Sequence, residues 1–187
     1  MKVALVYPRF KWFEYNGLAE PLGVLHLVSS LREAGHEPVY MDYSFSDDIG
    51  ELDSLVKDCG IVAIAISAAA KLERAAFVAG HLKEAVPEAL FVVGGAYPSI
   101  FPAKAIEDTG ASCALVGEAE ESIVELADLV ERGEDYRGMR NLVVKNPDGT
   151  VTENPRRPVI KNLDSIPFPA RDVVDYDSYL SEGMAEY

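Results

Sequence analysis

Long apolar runs, cysteines, basic residues and a glycine-rich phosphate loop are scarce or missing in this chain, and each absence narrows what it can do. No apolar stretch in the 187 residues approaches the roughly 20 that span a bilayer. The opening residues, MKVALVYPRF, enter a short apolar run without a cleavage-type site. The expectation is a cytoplasmic protein with no membrane partner. Two cysteines, Cys59 and Cys113, fall in a helical and a strand pattern respectively, which disfavours a disulfide framework or a metal cluster built on this chain's own sulfurs. Basic residues number 17 against 31 acidic ones, for a formal charge of -14. Such a field repels phosphate backbones and argues against nucleic acid as a partner. The carboxylates are scattered over predicted helix faces, the pattern of a solvated surface.

What is present is an alternation of two periods. Apolar strand-like runs recur as KVALVY, EPVYMD, IVAIAIS, LFVVGG and SCALVG. Between them, Val24, Leu27, Val28 and Leu31 stand at i, i+3, i+4, i+7, as do Leu52, Leu55, Val56 and Cys59, then Leu72, Ala75, Ala76 and Ala79, and finally Ile123, Leu126, Ala127 and Val130. Ala34-Gly35, Pro87 and Arg132-Gly133 supply helix stops. The third and fourth runs are apolar on both faces, as a helix-covered parallel sheet requires. The pattern predicts an α/β fold, a Rossmann-like doubly wound sheet of five parallel strands over residues 1–133. A hairpin turning at Asp148-Gly149 follows over 134–155, and a Pro-rich connector over 156–187.

Ligands of open parallel sheets bind beyond the carboxyl ends of the strands. Candidate residues therefore follow Tyr7, Asp42, Ser67, Gly94-Gly95 and Gly117. After the first strand stand Pro8, Arg9, Phe10, Lys11, Trp12 and Phe13, where a dinucleotide-binding unit would carry its glycine-rich turn. A receiver-type acidic cluster is missing there too. An aromatic, partly basic loop can cover a large flat hydrophobic ligand, or it can be a lid or partner-docking patch. Ser67 with Ala68, Ala69 and Ala70 after the third strand, and Gly94-Gly95 followed by a Pro98-containing loop after the fourth, place small residues at two adjacent strand ends. Together they open a narrow slot for a planar heterocycle or nucleotide-like tail. Asp42 alone reads as a loop or capping residue.

Four segments, IVAIAISAAA, LFVVGGAYPSIFPAKAIED, CALVGEAEESIVELADLV and IKNLDSIPFPARDVVDYDSYL, resemble the cobalamin-binding N-terminal domain of cobalamin-dependent radical SAM enzymes. The specific parts are Gly94-Gly95-x-x-Pro98, Gly117-Glu118-x-Glu120, and Leu163-Asp164-x-Ile166-Pro167-x-Pro169-Ala170-Arg171-Asp172, in that order. The resemblance implies that the two glycines make room for the nucleotide tail of cobalamin and that Ser67 lines the same slot. It implies a cofactor-binding set of Pro8, Arg9, Phe10, Trp12, Ser67, Ala68, Gly94, Gly95, Tyr97, Gly117 and Glu118, with no catalytic residue and no metal ligand. Glu118, Glu120 and Glu121 also suit the first turn of the fifth helix, where acids complement the macrodipole.

Histidine-ligating cobalamin domains carry Asp-x-His-x-x-Gly after the first strand, and this chain does not. His26, His36 and His81 all fall in or at the end of helices. The resemblance therefore implies cobalamin bound with its own base displaced and no histidine ligand, the first loop covering the lower face. A Cys-x3-Cys-x2-Cys triplet for a [4Fe-4S] cluster that cleaves S-adenosylmethionine is also missing. The chain then reads as a portion of a longer radical SAM enzyme, a methyltransferase by resemblance, whose C-terminal radical SAM domain is the partner of these residues. The competing expectation is a domain that keeps the fold without cobalamin and serves docking or substrate recognition.

Overall fold

The computed structural model describes residues 1–9, 20–46 and 48–180. The expected contacts of Phe10 and Trp12 lie outside the described residues. Seven strands form one sheet in the order β2-β1-β3-β4-β5-β6-β7. They are β1 (Lys2–Tyr7), β2 (Glu37–Asp42), β3 (Cys59–Ala65), β4 (Leu90–Gly94), β5 (Cys113–Leu115), β6 (Leu142–Lys145) and β7 (Val151–Glu153). The first five run parallel. Alternation along the strands makes both faces apolar: Val3, Leu5, Ile61, Val92 and Cys113 point into one layer, and Ala4, Val6, Val62, Val93 and Ala114 into the other.

The first layer is covered by α1 (Leu22–Glu33) and α6 (Glu120–Glu131), the second by α2 (Leu52–Val56), α3 (Leu72–Ala85) and α5 (Pro102–Thr109). Helix α1 starts after Pro21 without a side-chain cap. Packing holds it instead: Val24, Leu25, Val28 and Leu31 are buried, each worth about 1.5–3 kcal/mol. Gly35 and Gly133, at φ +85° and +65°, release the chain after α1 and α6.

Three expectations need correction. The sheet has seven strands rather than five, because the predicted hairpin joins its edge. Leu142, Val143 and Val144 are buried, and they achieve this by pairing antiparallel with β5, Val143 opposite Ala114. The helix expected to reach Cys59 stops at Val56. Cys59 opens β3, where the β-branched run that follows is better served by pairing with β1. The Pro98-containing segment is not a loop: α4 (Ala96–Ile100) follows Gly95 directly, and after Phe101 the chain enters α5 at Pro102, a residue suited to the first helical position.

The Pro-rich segment is fastened across α1. The Ala170 amide donates to the Leu25 carbonyl at 3.1 Å and the Ser29 hydroxyl to the Phe168 carbonyl at 2.6 Å. Arg32 pairs with Asp172 at 2.9 Å and Arg171 with Glu20 at 2.9 Å. Near its end, α7 (Tyr176–Ser178) leads into Tyr179, only 3% exposed. Among the described residues no helix is long and apolar enough to cross a membrane.

Candidate functional site

The side chains of the central strands shrink where they meet α1. On that face β3 carries Ala63 and Ala65, and β4 carries Gly94 opposite Ala65. Larger residues stand on either side: Leu5, opposite Ala63, and Tyr7 on β1, with Leu115 on β5. The result is a recess of about 460 Å³ between the sheet and α1. The start of α1, with Pro21, Leu22, Gly23, Val24 and Leu27, closes one side, and Ser67, Gly95, Gly117 and Glu118 stand at the carboxyl end of the strands.

The two adjacent glycines have different reasons to be glycine. At Gly94 a Cβ would stand 3.7 Å from the Leu115 carbonyl oxygen, an ordinary contact, so the bare position serves the recess rather than the chain. At Gly95 the backbone takes φ 103° and ψ -170°, a region essentially restricted to glycine. A Cβ there would lie 2.9 Å from the Ile66 carbonyl oxygen. Gly95 lets the chain turn beneath β3 into α4, and its main chain borders the cavity.

Ser67 and Gly117 therefore share one cavity with both glycines, although they lie on separate loops. The other expected residues are placed differently. Pro8 is buried beside β1, and the Arg9 guanidinium donates to the Phe45 carbonyl at 3.4 Å, toward the loop after β2. Ala68 precedes a short 3-10 turn at Ala69–Lys71. Tyr97 packs into the α3 and α5 layer, its ring 5.5 Å from that of Phe101. Glu118 borders the cavity, but its carboxylate accepts the Ile160 amide at 2.7 Å. It lies ahead of α6, so only Glu120 and Glu121 occupy the first helical turn.

Each histidine is engaged away from the cavity. The His26 ring lies 3.0 Å from the Pro167 carbonyl, His81 lies 2.9 Å from Asp53, and His36 lies 3.3 Å from Asp128. His36, Asp128 and Glu131 bring possible metal ligands within 4.8 Å of one another. The Met1 ammonium donates to Glu131 there at 2.6 Å, supplying the positive charge itself.

Beside the recess is a polar cluster that the sequence pattern does not reveal. Asp42 accepts from the Tyr40 hydroxyl at 2.8 Å, from the Ser44 amide and hydroxyl at 2.9 and 2.6 Å, and from the Tyr179 hydroxyl. Lys71, 4% exposed, places its ammonium 3.3 Å from the centre of the Tyr7 ring. Burial lowers the Lys71 pKa to about 8 against the opposing pull of Asp42. Burial foremost, then Asp42, pushes the Tyr40 phenol far above its ordinary range. Tyr7 is raised mainly by burial and opposed by its hydrogen bond with Ser67.

With this geometry in place, the B12 binding domain model matches residues 13–127. The chain belongs to the B12-binding domain family. Relatives include an uncharacterized methyltransferase of Pyrococcus horikoshii, 30% identical over 170 residues that make up 88% of this chain and 36% of that protein. The hopanoid C-3 methylase of Methylococcus capsulatus is 32% identical over 186 residues, 94% of this chain and 34% of that protein. This B12-binding domain thus spans about a third of the length of the curated relatives it matches. Among solved structures, the cobalamin-dependent S-adenosylmethionine radical enzyme OxsB, with aqua-cobalamin and S-adenosylmethionine bound, superimposes with a TM-score of 0.76 at 17% identity. The match covers 96% of this chain and 25% of that one.

Not every wall of the cavity was visible from motifs. No motif marks Ala63, Ala65 or the start of α1, yet the alternation of alanine with isoleucine and valine in IVAIAIS carries the signal. In a fully buried strand, alternate small residues leave one face recessed.

Proposed function

We propose that this B12-binding domain holds the nucleotide tail of cobalamin in the recess between α1 and the sheet, with the tail's own base displaced from cobalt and no histidine in its place. The observation that carries this reading is the floor of Ala63, Ala65 and Gly94. It admits a planar heterocycle where ordinary strand side chains would fill the space. The cavity fits that group chemically: its lining is mostly apolar, and Ser67 and Tyr7 bring hydroxyl groups to it that could serve a polar ribose-phosphate linkage. The start of α1 excludes water from one side, and the main chain at Gly95 and Gly117 allows close approach at the mouth. The engagement of His26, His36 and His81 elsewhere supports the histidine-free reading.

When bound, cobalamin supplies a cobalt centre able to carry a methyl group between donor and acceptor. The chain's own residues position that cofactor and keep its tail dry. We propose further that this is the cobalamin-binding portion of a radical SAM methyltransferase. Its [4Fe-4S] cluster and S-adenosylmethionine would be held by residues outside these 187, since Cys59 and Cys113 are buried in separate strands. The test compares hydroxocobalamin with cobinamide, which lacks the nucleotide tail, by calorimetric titration of the chain. The expected outcome is cobalamin affinity at least about tenfold higher, the scale of one or two well-buried contacts. Equal affinities would refute the placement of the tail.

A further inference from the structure

We infer that Asn141 is a positioning residue for the Gly117-Glu118 wall of the cavity, an assignment that rests on the cobalamin reading above. Asn141 is a non-glycine residue at positive φ, 63°, and it is 4% exposed. A side chain is seldom kept in that region unless its own bonds hold it there.

Five hydrogen bonds meet on this residue. Its carbonyl accepts the Val116 amide at 2.9 Å, and its amide donates to the Pro155 carbonyl at 3.1 Å. Its side-chain oxygen accepts the Arg157 amide at 2.7 Å, and its side-chain nitrogen donates to the Glu118 carbonyl at 3.1 Å and to the Ser122 hydroxyl at 3.4 Å. One buried side chain thus joins the cavity wall to the strap that leaves β7. The task requires a donor and an acceptor on the same short side chain. Aspartate lacks the donor and glycine lacks both.

The wall passes the constraint onward to the floor. The Gly117 amide donates to the Ser99 hydroxyl at 2.9 Å, and that hydroxyl donates to the Gly95 carbonyl at 2.8 Å. A path of main-chain and side-chain bonds therefore runs from Asn141 through Gly117 to Gly95. Gly117 itself sits at φ +80° with Asn141 alongside, a Cβ there reaching 3.9 Å from the Asn141 side-chain nitrogen.

The test uses the full chain with Asn141→Gly, which keeps the left-handed backbone but loses all three side-chain bonds, and Asn141→Asp, which keeps only the acceptor. Asn154→Ala is the control. It removes a comparable bond, Asn154 to the Arg137 carbonyl at 2.6 Å, on the neighbouring segment. Hydrogen exchange of the Gly117 amide is measured without ligand, followed by hydroxocobalamin affinity. In both Asn141 variants exchange at Gly117 should accelerate about tenfold, the scale of one buried hydrogen bond, and affinity should fall by a similar factor. Asn154→Ala should change neither. Wild-type exchange at Gly117 in either folded Asn141 variant, or equal acceleration in Asn154→Ala, overturns the assignment. So does accelerated exchange with undiminished hydroxocobalamin affinity. A wild-type chain that binds no hydroxocobalamin would instead refute the cobalamin reading, with the exchange result still deciding whether Asn141 sets the wall.

Discussion

Replacing Gly94 by valine separates the recess from the fold. At this position a Cβ makes only ordinary contact, 3.7 Å from the Leu115 carbonyl oxygen and 4.0 Å from the Leu115 Cβ, and the branch points into the cavity. A glycine inside a strand costs roughly 0.5–1 kcal/mol relative to alanine, so the variant should fold with stability equal to or slightly above wild type. The added carbons occupy space that the tail needs. Overpacking a filled site costs typically 1–3 kcal/mol, a loss of about 5- to 150-fold in affinity. Cobinamide, without the tail, should bind the variant and wild type alike. The assay is paired titration with hydroxocobalamin and cobinamide, with circular dichroism and thermal unfolding as the fold control. Unchanged hydroxocobalamin affinity in a folded Gly94→Val chain would refute the tail placement. Gly95→Val is not an equivalent probe. Its Cβ would lie 2.9 Å from the Ile66 carbonyl oxygen, with φ at +103°, so it should lose stability by about 1–3 kcal/mol or more, whatever the ligand does.

The remaining predictions concern the surroundings. The folded Lys71 amine releases its proton near pH 8, whereas the unfolded one keeps it to about 10.4. Between those values the unfolded chain binds more protons, so this group's contribution to stability rises with pH. Lys71→Met should therefore stabilise the protein at pH 7, by at most about 3 kcal/mol. The advantage should shrink toward pH 10 in urea titrations, and an advantage independent of pH would contradict burial of a charged amine. Tyr179→Phe removes one donor to Asp42 and should cost about 0.5–1.5 kcal/mol, measured as a lower urea midpoint with unchanged m-value. Equal midpoints would mean that the strap end does not anchor on Asp42. His26→Gln and His81→Gln should leave the visible spectrum of bound cobalamin unchanged, and a shift in either would contradict the histidine-free reading.

The sequence made the layered α/β fold legible because both periods were strong. The continuous apolar runs IVAIAIS and LFVVGG, and the i, i+3, i+4 spacing in α1, α3 and α6, report burial directly. It was ambiguous where periods were short. Leu52 to Cys59 satisfies a helical template, yet three-dimensional pairing with β1 takes Cys59 into β3. The docking of β6 depends on the free edge of β5, which no local pattern records.

The candidate site was partly legible for the same reason. Ser67, Gly94, Gly95 and Gly117 mark strand ends, and topology gathers strand ends at one edge. Tyr97, one residue into α4, falls on the opposite layer because the turn at Gly95 swings the chain under Ile66. Asn141 and the Asp42, Tyr179 and Lys71 cluster were invisible, since each joins residues distant in sequence through single polar contacts with no period.

The most direct test of the central claim is the visible absorption spectrum of the chain after incubation with hydroxocobalamin and removal of free cofactor by desalting. A chain that seats the displaced base should retain a corrin spectrum of the base-off type. A retained spectrum of the base-on type would contradict the displaced base and its seat in the recess, and no retained corrin at all would contradict cobalamin binding by this chain.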